Sequence, residues 1–481
     1  MKQQRNFLLS TLVAFAALFF VVSFVGSTNA HASTSDPWWK QFNDDQLDQL
    51  IEKARVQNPQ LRSARLKAAL DESTTWVTFS PMLPTLQLAA STSLAPTSAL
   101  GFGLPFSFPT LPSMGPVPLD KQFESLGADN PPAVYVGGAV QLQAAWRIDP
   151  GVSYFRYAAS QKDALATKAD RDEATLRLTQ QVTQTYFDLL TATKQESIFA
   201  GQLNAQQTLL KVVELRFSEG SATSVDVLQQ RQQVAASRSQ QHPARTQVEA
   251  LTRQLRGLLA METDEKLELD LQRSLPTLPT EVDVDLDDVM QERPDIRAAR
   301  TRLEAASNRS TSAFLAFFPS LNLSAQAGPQ YQYLTEYNDN WGWGVGASLS
   351  IPLFMGQTIA NYNTSRIGVS LAKENVHALE VTAALEVEVA QIQARELRLQ
   401  VAATAEQQQA AEKTVQAARQ RYLAGLLPYQ SVLLAENAFF MSSLSSLDQN
   451  RRLALAHLSL LDATAGTFAD GLGEEPARSN P

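Results

Sequence analysis

Two stretches, Phe155–Glu219 and Gln357–Ala424, set the hydrophobic and polar pattern of this chain; each is about 65 residues long, has no proline and holds one interior glycine, Gly201 or Gly368. Apolar residues recur at helical spacing, as at Val182, Tyr186 and Leu189, and Gln, Glu, Arg and Lys fill the other faces. At 1.5 Å per residue such a helix is about 100 Å long, several times the diameter of a compact domain. The pattern therefore predicts helices packed side by side as a long coiled bundle. A competing period-two signal, as at Glu386–Val389, is too short to make a strand.

A signal-like segment occupies residues 1–32, and an aromatic docking segment with a short helix follows at 33–57. The first repeat unit, 58–261, carries a helix from Pro59, strands at about 84–93 and 134–148, and long helices at about 155–219 and 224–259, the last interrupted by Pro243. Residues 94–133, rich in Pro, Gly, Ser and Phe, read as an excursion loop. An acidic connector spans 262–288 and reads as solvated surface rather than a metal site. The second unit, 289–462, carries strands at about 319–332 and 341–353 and long helices at about 357–424 and 429–461, before a tail at 463–481.

The two units are copies. Arg293-Pro294-Asp295-Ile296-Arg297-Ala298-Ala299-Arg300 echoes Asn58–Arg65, and Pro319–Leu323 echoes Pro84–Leu88, both at an offset of 235 residues. The alternation Val345, Ala347, Leu349, Ile351, Leu353 echoes Val140–Ile148, and Arg421–Gly425 echoes Arg216–Gly220, now at an offset of 205. The difference falls in the strand–strand loop, longer in the first unit. A duplicated helix-strand-strand-helix-helix plan decides the fold class: mainly α with a β component. Four strands with one apolar face, and Tyr135, Tyr331, Trp341 and Trp343 near the loop ends, suit a membrane barrel with aromatic girdles. On that reading Val140, Leu142, Val345 and Leu349 face lipid. Four strands cannot close a barrel alone, and lipid does not tolerate open edges, so several chains must share one. A soluble four-stranded sheet is the alternative.

Composition narrows the chemistry. A net charge of −9 without a long basic cluster argues against nucleic acid, and the absence of cysteine excludes disulfides, thiol catalysis and a lipid on cysteine. Lys2 and Arg5 precede the apolar run Leu8–Val25, and Ala30-His31-Ala32 is a cleavage-type site, so a cleaved signal is favoured over an anchor. Beyond that run no stretch of 18 apolar residues occurs. His31, His242, His377 and His457 are scattered, no H-E-x-x-H or phosphate-binding glycine loop is present, and carboxylate pairs such as Glu386 and Glu388 have solvated-face spacing. Neither an enzymatic role nor a cofactor is expected.

Trp38-Trp39-Lys40-Gln41-Phe42, the run Glu292–Ala299 continuing to Phe317-Phe318-Pro319-Ser320-Leu321, and the two glycine turns resemble the TolC-type outer-membrane efflux proteins, in particular the NodT-like subunits of resistance-nodulation-division pumps. The resemblance implies a homotrimer in the outer membrane of a Gram-negative bacterium. Four strands per chain would make one 12-stranded barrel in contact with outer-membrane lipid, and the helices a tunnel across the periplasm. It also implies a periplasmic adaptor and an inner-membrane pump as partners. Many NodT-like members carry an N-terminal lipidated cysteine, which this chain lacks.

The same resemblance assigns adaptor-docking tips to Gly220, Ser221, Ala222 and Gly425, Leu426, Leu427. In the family pattern an acidic residue six positions after the first tip glycine pairs with a tyrosine three before the second; those positions hold Asp226 and Tyr422. Leu427 stands where the family latch has arginine, and Ser431 and Leu434 stand where it has an acidic ring. The expected gate is therefore partly apolar, around Leu434, with an Asp226–Tyr422 hydrogen bond; the alternative is that Asp226 only caps its helix. The expected activity is passive conduction of small toxic compounds or drugs to the cell exterior. An exit duct for polypeptides and a soluble periplasmic coiled-coil adaptor remain as alternatives.

Overall fold

The computed structural model describes residues 38–96, 134–262, 265, 267, 269–276, 286–333, 337–353 and 355–464. The signal-like segment, the excursion loop beyond residue 96, residues 277–285 of the connector and the tail beyond residue 464 lie outside the described residues.

A 3-10 turn at Trp38–Phe42 leads to α1 (Asp45–Gln57) and α2 (Pro59–Phe79), then β1 (Thr85–Pro96) and β2 (Val134–Ile148). The first hairpin of long helices is α3 (Val152–Ser218) and α4 (Ser224–Leu258). After α5 (Leu286–Glu292) the plan repeats as α6 (Pro294–Leu315), β3 (Ser320–Tyr333), β4 (Tyr337–Ser350), α7 (Gly356–Leu423) and α8 (Tyr429–Ala463). Asp44 and Asn58 accept the first free backbone N–H groups of α1 and α2, with Pro59 at the start of α2 where no N–H is needed.

The strands form one antiparallel sheet in the order β1-β2-β3-β4, open at both edges. Its register aligns apolar positions on one face: Leu88 opposite Leu142, Trp146 opposite Leu323, Ile148 opposite Leu321, and Leu321 opposite Leu349. The other face aligns Gln87 with Gln143, Gln143 with Gln326, and Asn322 with Ser348. β4 ends at Ser350 rather than running to residue 353, because Pro352 has no N–H to donate to a ladder.

On the sheet side α2 and α6 flank the first part of α3, and α7 packs on α6 beyond it; on the other side α4 and α8 pack against the second part of α3, with α7 beside α8. Ion pairs align α6 against α3: Lys162–Glu304 at 2.5 Å, Arg297–Asp172 at 2.9 Å, Arg302–Asp170 and Arg309–Asp163. Being half exposed, they set alignment more than stability. α4 does not break at Pro243 as expected but continues to Leu258. Burial of Val234, Ala244, Leu251 and Leu255 against the bundle holds the helix together across the lost hydrogen bond.

The main core lies midway along the bundle. Trp38, Trp39 and Phe42 are buried among Leu47 and Ile51 of α1, Tyr186, Phe187 and Leu190 of α3, Leu255 of α4 and Leu458 of α8. The connector contributes too: Leu267, Leu269, Leu271 and Leu275 pack on this core, so its alternating leucines cover apolar surface instead of lying in solvent.

Candidate functional site: the helical tip and the sheet face

Both long hairpins turn with the same backbone device. Gly220 and Gly425 sit at φ +75° and +76°, in the left-handed region that glycine enters without cost. The N–H of Gly220 bonds the Phe217 carbonyl at 3.0 Å and that of Ser221 the Arg216 carbonyl at 2.8 Å. Gly425 to Tyr422 at 2.9 Å and Leu426 to Arg421 at 2.8 Å repeat the arrangement, so each helix ends in a Schellman motif.

The two turns diverge after their glycines. Beyond Ser221 and Ala222, Thr223 caps α4 in a reciprocal box: the Asp226 N–H reaches Thr223 Oγ1 at 3.2 Å, and the Thr223 N–H reaches Asp226 Oδ2 at 2.8 Å. Beyond Leu426 and Leu427, Pro428 precedes α8 without any side-chain cap. Leu423 and Leu426 are exposed, as are Leu215, Phe217 and Leu228 of the first hairpin, so the tip is an apolar end on a largely polar bundle.

The expected Asp226–Tyr422 hydrogen bond does not form within the protomer. Asp226 Oδ2 is held by the backbone N–H and the hydroxyl of Thr223. Tyr422 is buried instead against Tyr429, ring centroids 6.1 Å apart, under the Arg216 guanidinium 4.3 Å from its centroid. Arg216 also donates to the Leu423 carbonyl at 3.0 Å, satisfying the C-terminus of α7 from α3. Of the other gate positions, Ser431 is half-buried and Leu434 is 65% exposed. Arg216 does not stand out in the sequence, although its place four residues before Gly220 is the last-turn position favoured for a cation.

At the other end, Leu86, Leu88, Leu142, Trp341, Trp343, Val345 and Leu349 all face outward, uncovered by any helix of the protomer. Among the described residues no group of His, Asp and Glu is placed to hold a metal ion, and no helix is long and apolar enough to cross a membrane.

This combination of a duplicated hairpin bundle and a one-sided apolar sheet has relatives. The outer membrane efflux protein family profile matches residues 50–261 and 286–466. The chain belongs to that family. The family is one of channel proteins, not enzymes. A pyoverdine export outer membrane protein, OpmQ of Pseudomonas putida, is 28% identical over 339 residues, covering 68% of this chain and 66% of OpmQ, just under two thirds of its length. The putative multidrug resistance outer membrane protein MdtQ of Escherichia coli K12 is 23% identical over 396 residues, covering 81% of this chain and 79% of MdtQ. Among solved structures, the outer-membrane channel OprN matches with a TM-score of 0.77 at 21% identity, covering 92% of this chain and 97% of that one. The Campylobacter jejuni CmeC outer membrane channel matches with 0.77 at 21%, covering 94% and 92%. The family residues include both tips and all four strands.

Proposed function

We propose that this protein is the outer-membrane channel subunit of a tripartite efflux system, passively conducting small toxic compounds or drugs handed on by an inner-membrane pump through a periplasmic adaptor. The observation that carries the proposal is the sheet. One face is apolar across all four strands, the other is lined by Gln, Asn, Ser and Gly, and β1 and β4 leave both edges unpaired. An apolar face of this extent is costly in water, and open edges are costly in lipid. Three copies joined edge to edge remove both costs, as a closed 12-stranded barrel with lipid outside and a polar lumen within.

The helices support the same assembly. Leu66, Leu70 and Val77 form an exposed stripe on α2, and Ile367, Leu371, Val381, Leu385, Val389 and Ile392 form a longer one on α7. Both recur at coiled-coil spacing and lie at the outer edges of the helical layer. The relatives' names, pyoverdine export and multidrug resistance, support export of small molecules.

At the tip we assign adaptor docking to Gly220, Ser221, Ala222 and Gly425, Leu426, Leu427, and the gate to the apolar surroundings of Leu434. Heat-modifiable trimers in outer-membrane fractions and conductance in planar bilayers test the proposal. Release of the whole protein as a soluble species by osmotic shock would overturn it.

A further inference from the structure

Arg147 stands alone as a charge on the polar face of the sheet. Successive residues of a strand face opposite sides, and its neighbours Trp146 and Ile148 belong to the apolar face, where Trp146 donates its ring N–H to the Met82 carbonyl at 3.0 Å. Arg147 therefore lies on the other face, opposite Asn322, which is in turn opposite Ser348. Two rows further from the helices, Gln87, Gln143, Gln326 and Gly344 stand side by side across all four strands, with Gln87 Nε2 donating to Gln143 Oε1 at 3.1 Å. Among the described residues every other register position on this face is uncharged.

The charge is also available. Arg147 is exposed and makes no ion pair among the described residues. Asp149, two residues on, feels it only as a field, because its carboxylate is already engaged. Its Oδ1 accepts from the N–H groups of Gly151 and Ser153, each at 3.0 Å, and its Oδ2 from the Ser153 hydroxyl. Asp149 thus serves the first turn of α3, whose positive end offsets its charge. The Arg147 guanidinium is left to solvent at the penultimate residue of β2, where the sheet gives way to the helices.

We infer that Arg147 is a specificity residue of the conduit. Three copies form a positive ring at the foot of the barrel, and solutes carrying carboxylate or phosphate groups pass it more readily than cations of the same size. The inference rests on the conduit reading for what passes. Rings of arginine or lysine favour anions as carboxylate rings favour cations, and low-dielectric walls focus their field. Beyond the ring, the amides offer donors and acceptors to either sign, so nothing on the described face reverses the preference. The field reaches about 10 Å at 0.1 M salt and about 3 Å at 1 M, so the preference fades as salt rises.

Trimers in planar bilayers under a KCl gradient report the chloride-to-potassium permeability ratio. At 0.1 M, Arg147→Gln should lower it about two-fold and Arg147→Glu about four-fold, Arg147→Lys should keep it, and the differences should shrink at 1 M. Equal ratios in the native, glutamine and glutamate channels overturn the inference. A second measurement needs no conduction. The chain has no cysteine, so Ser324→Cys, exposed on the same face one row from Arg147, is a unique reporter. The reaction rate of an anionic methanethiosulfonate relative to a cationic one should fall about three-fold when Arg147→Gln is added. An unchanged rate ratio overturns the positive face. A native protein that never conducts rejects the conduit instead, with the reagent ratio still deciding whether Arg147 sets the charge of this face.

Discussion

His457, on α8, is held neutral inside the main core, its ring 6.1 Å from Phe42. Burial pushes its pKa down to about 4, and Arg398 of α7 adds to the shift. Asp462, one turn further on, moves the other way: burial pushes it up to about 6, against Arg293 and Arg177 and with Glu386. The signs are opposite. For His457 the folded value lies below the ordinary 6.5, so its contribution is complete above pH 6.5 and is lost as pH falls towards 4. For Asp462 the folded value lies above 3.8, so its contribution is complete below that and is lost as pH rises through 6. Each is worth about 3 kcal/mol over its window, and between pH 4 and 6 they largely cancel. His457→Met should therefore remove the acid-side loss, and Asp462→Asn the acid-side gain. Thermal unfolding of each variant against the native protein at pH 4.5 and 7 checks this; differences of equal sign in the two variants would contradict the assignment. Residue-scale chemistry at the tip was only partly legible. Thr223-Ser224-Val225-Asp226 has the spacing of a capping box, which the alternative for Asp226 anticipated, whereas Gln206, Gln230 and Glu436 are distant in sequence and meet only through the fold.

Elements were legible where one local rule dominates. Both tip glycines follow a last helical turn and need a positive φ, so replacing either by alanine should cost about 1–2 kcal/mol at the turn. Bulky or charged replacements at both should abolish efflux with trimers intact on a gel; unchanged drug resistance in the double variant would remove the tips from the docking surface. Pro243 misleads because the long neighbour α3 supports α4 on both sides of it, which no local rule reports. The run Arg293-Pro294-Asp295 stands out as a motif, but its work is tertiary. Pro294 starts α6, and Arg293 grips Asp295 through two bonds of 3.1 and 2.7 Å, Glu386 of α7 at 2.8 Å and the Ala463 carbonyl ending α8 at 3.3 Å. Burial opposes ionisation of Asp295, but the guanidinium outweighs it and holds the carboxyl below its ordinary range. Arg293 thus bolts α6, α7 and α8 together beside a cavity of about 450 Å³. Arg293→Ala should cost about 3 kcal/mol, the low end for a buried pair because Glu386 is half exposed, and Arg293→Lys should recover less than half of it because the two-pronged contact is lost. Urea unfolding monitored at the tryptophans measures both; full stability in the lysine variant would mean that charge alone suffices.

At the scale of the whole molecule, duplication made the architecture readable: two copies of one plan placed four strands at one end of four long helices, and the period-two pattern already divided their faces. What pairs with each open edge was legible only through the family resemblance, because a single chain carries only one side of such a contact. The division of faces gives the sharpest test. Leu142 and Gln143 are neighbours on β2 that point to opposite faces, as are Leu349 and Ser348 on β4. If the apolar face meets lipid, Leu142→Arg and Leu349→Arg should each cost about 2–4 kcal/mol near the midplane, and together they should deplete heat-stable trimers in the outer membrane. Gln143→Arg and Ser348→Arg place the same charge one residue away, among Gln326 and Asn322 on the polar face, which on that reading would line a water-filled lumen. Those variants should assemble at native levels and change only the ion selectivity recorded in bilayers. A soluble sheet would show no such split, since arginine on an exposed face is tolerated in water. Equal trimer yields from all four variants would therefore place the sheet outside the membrane.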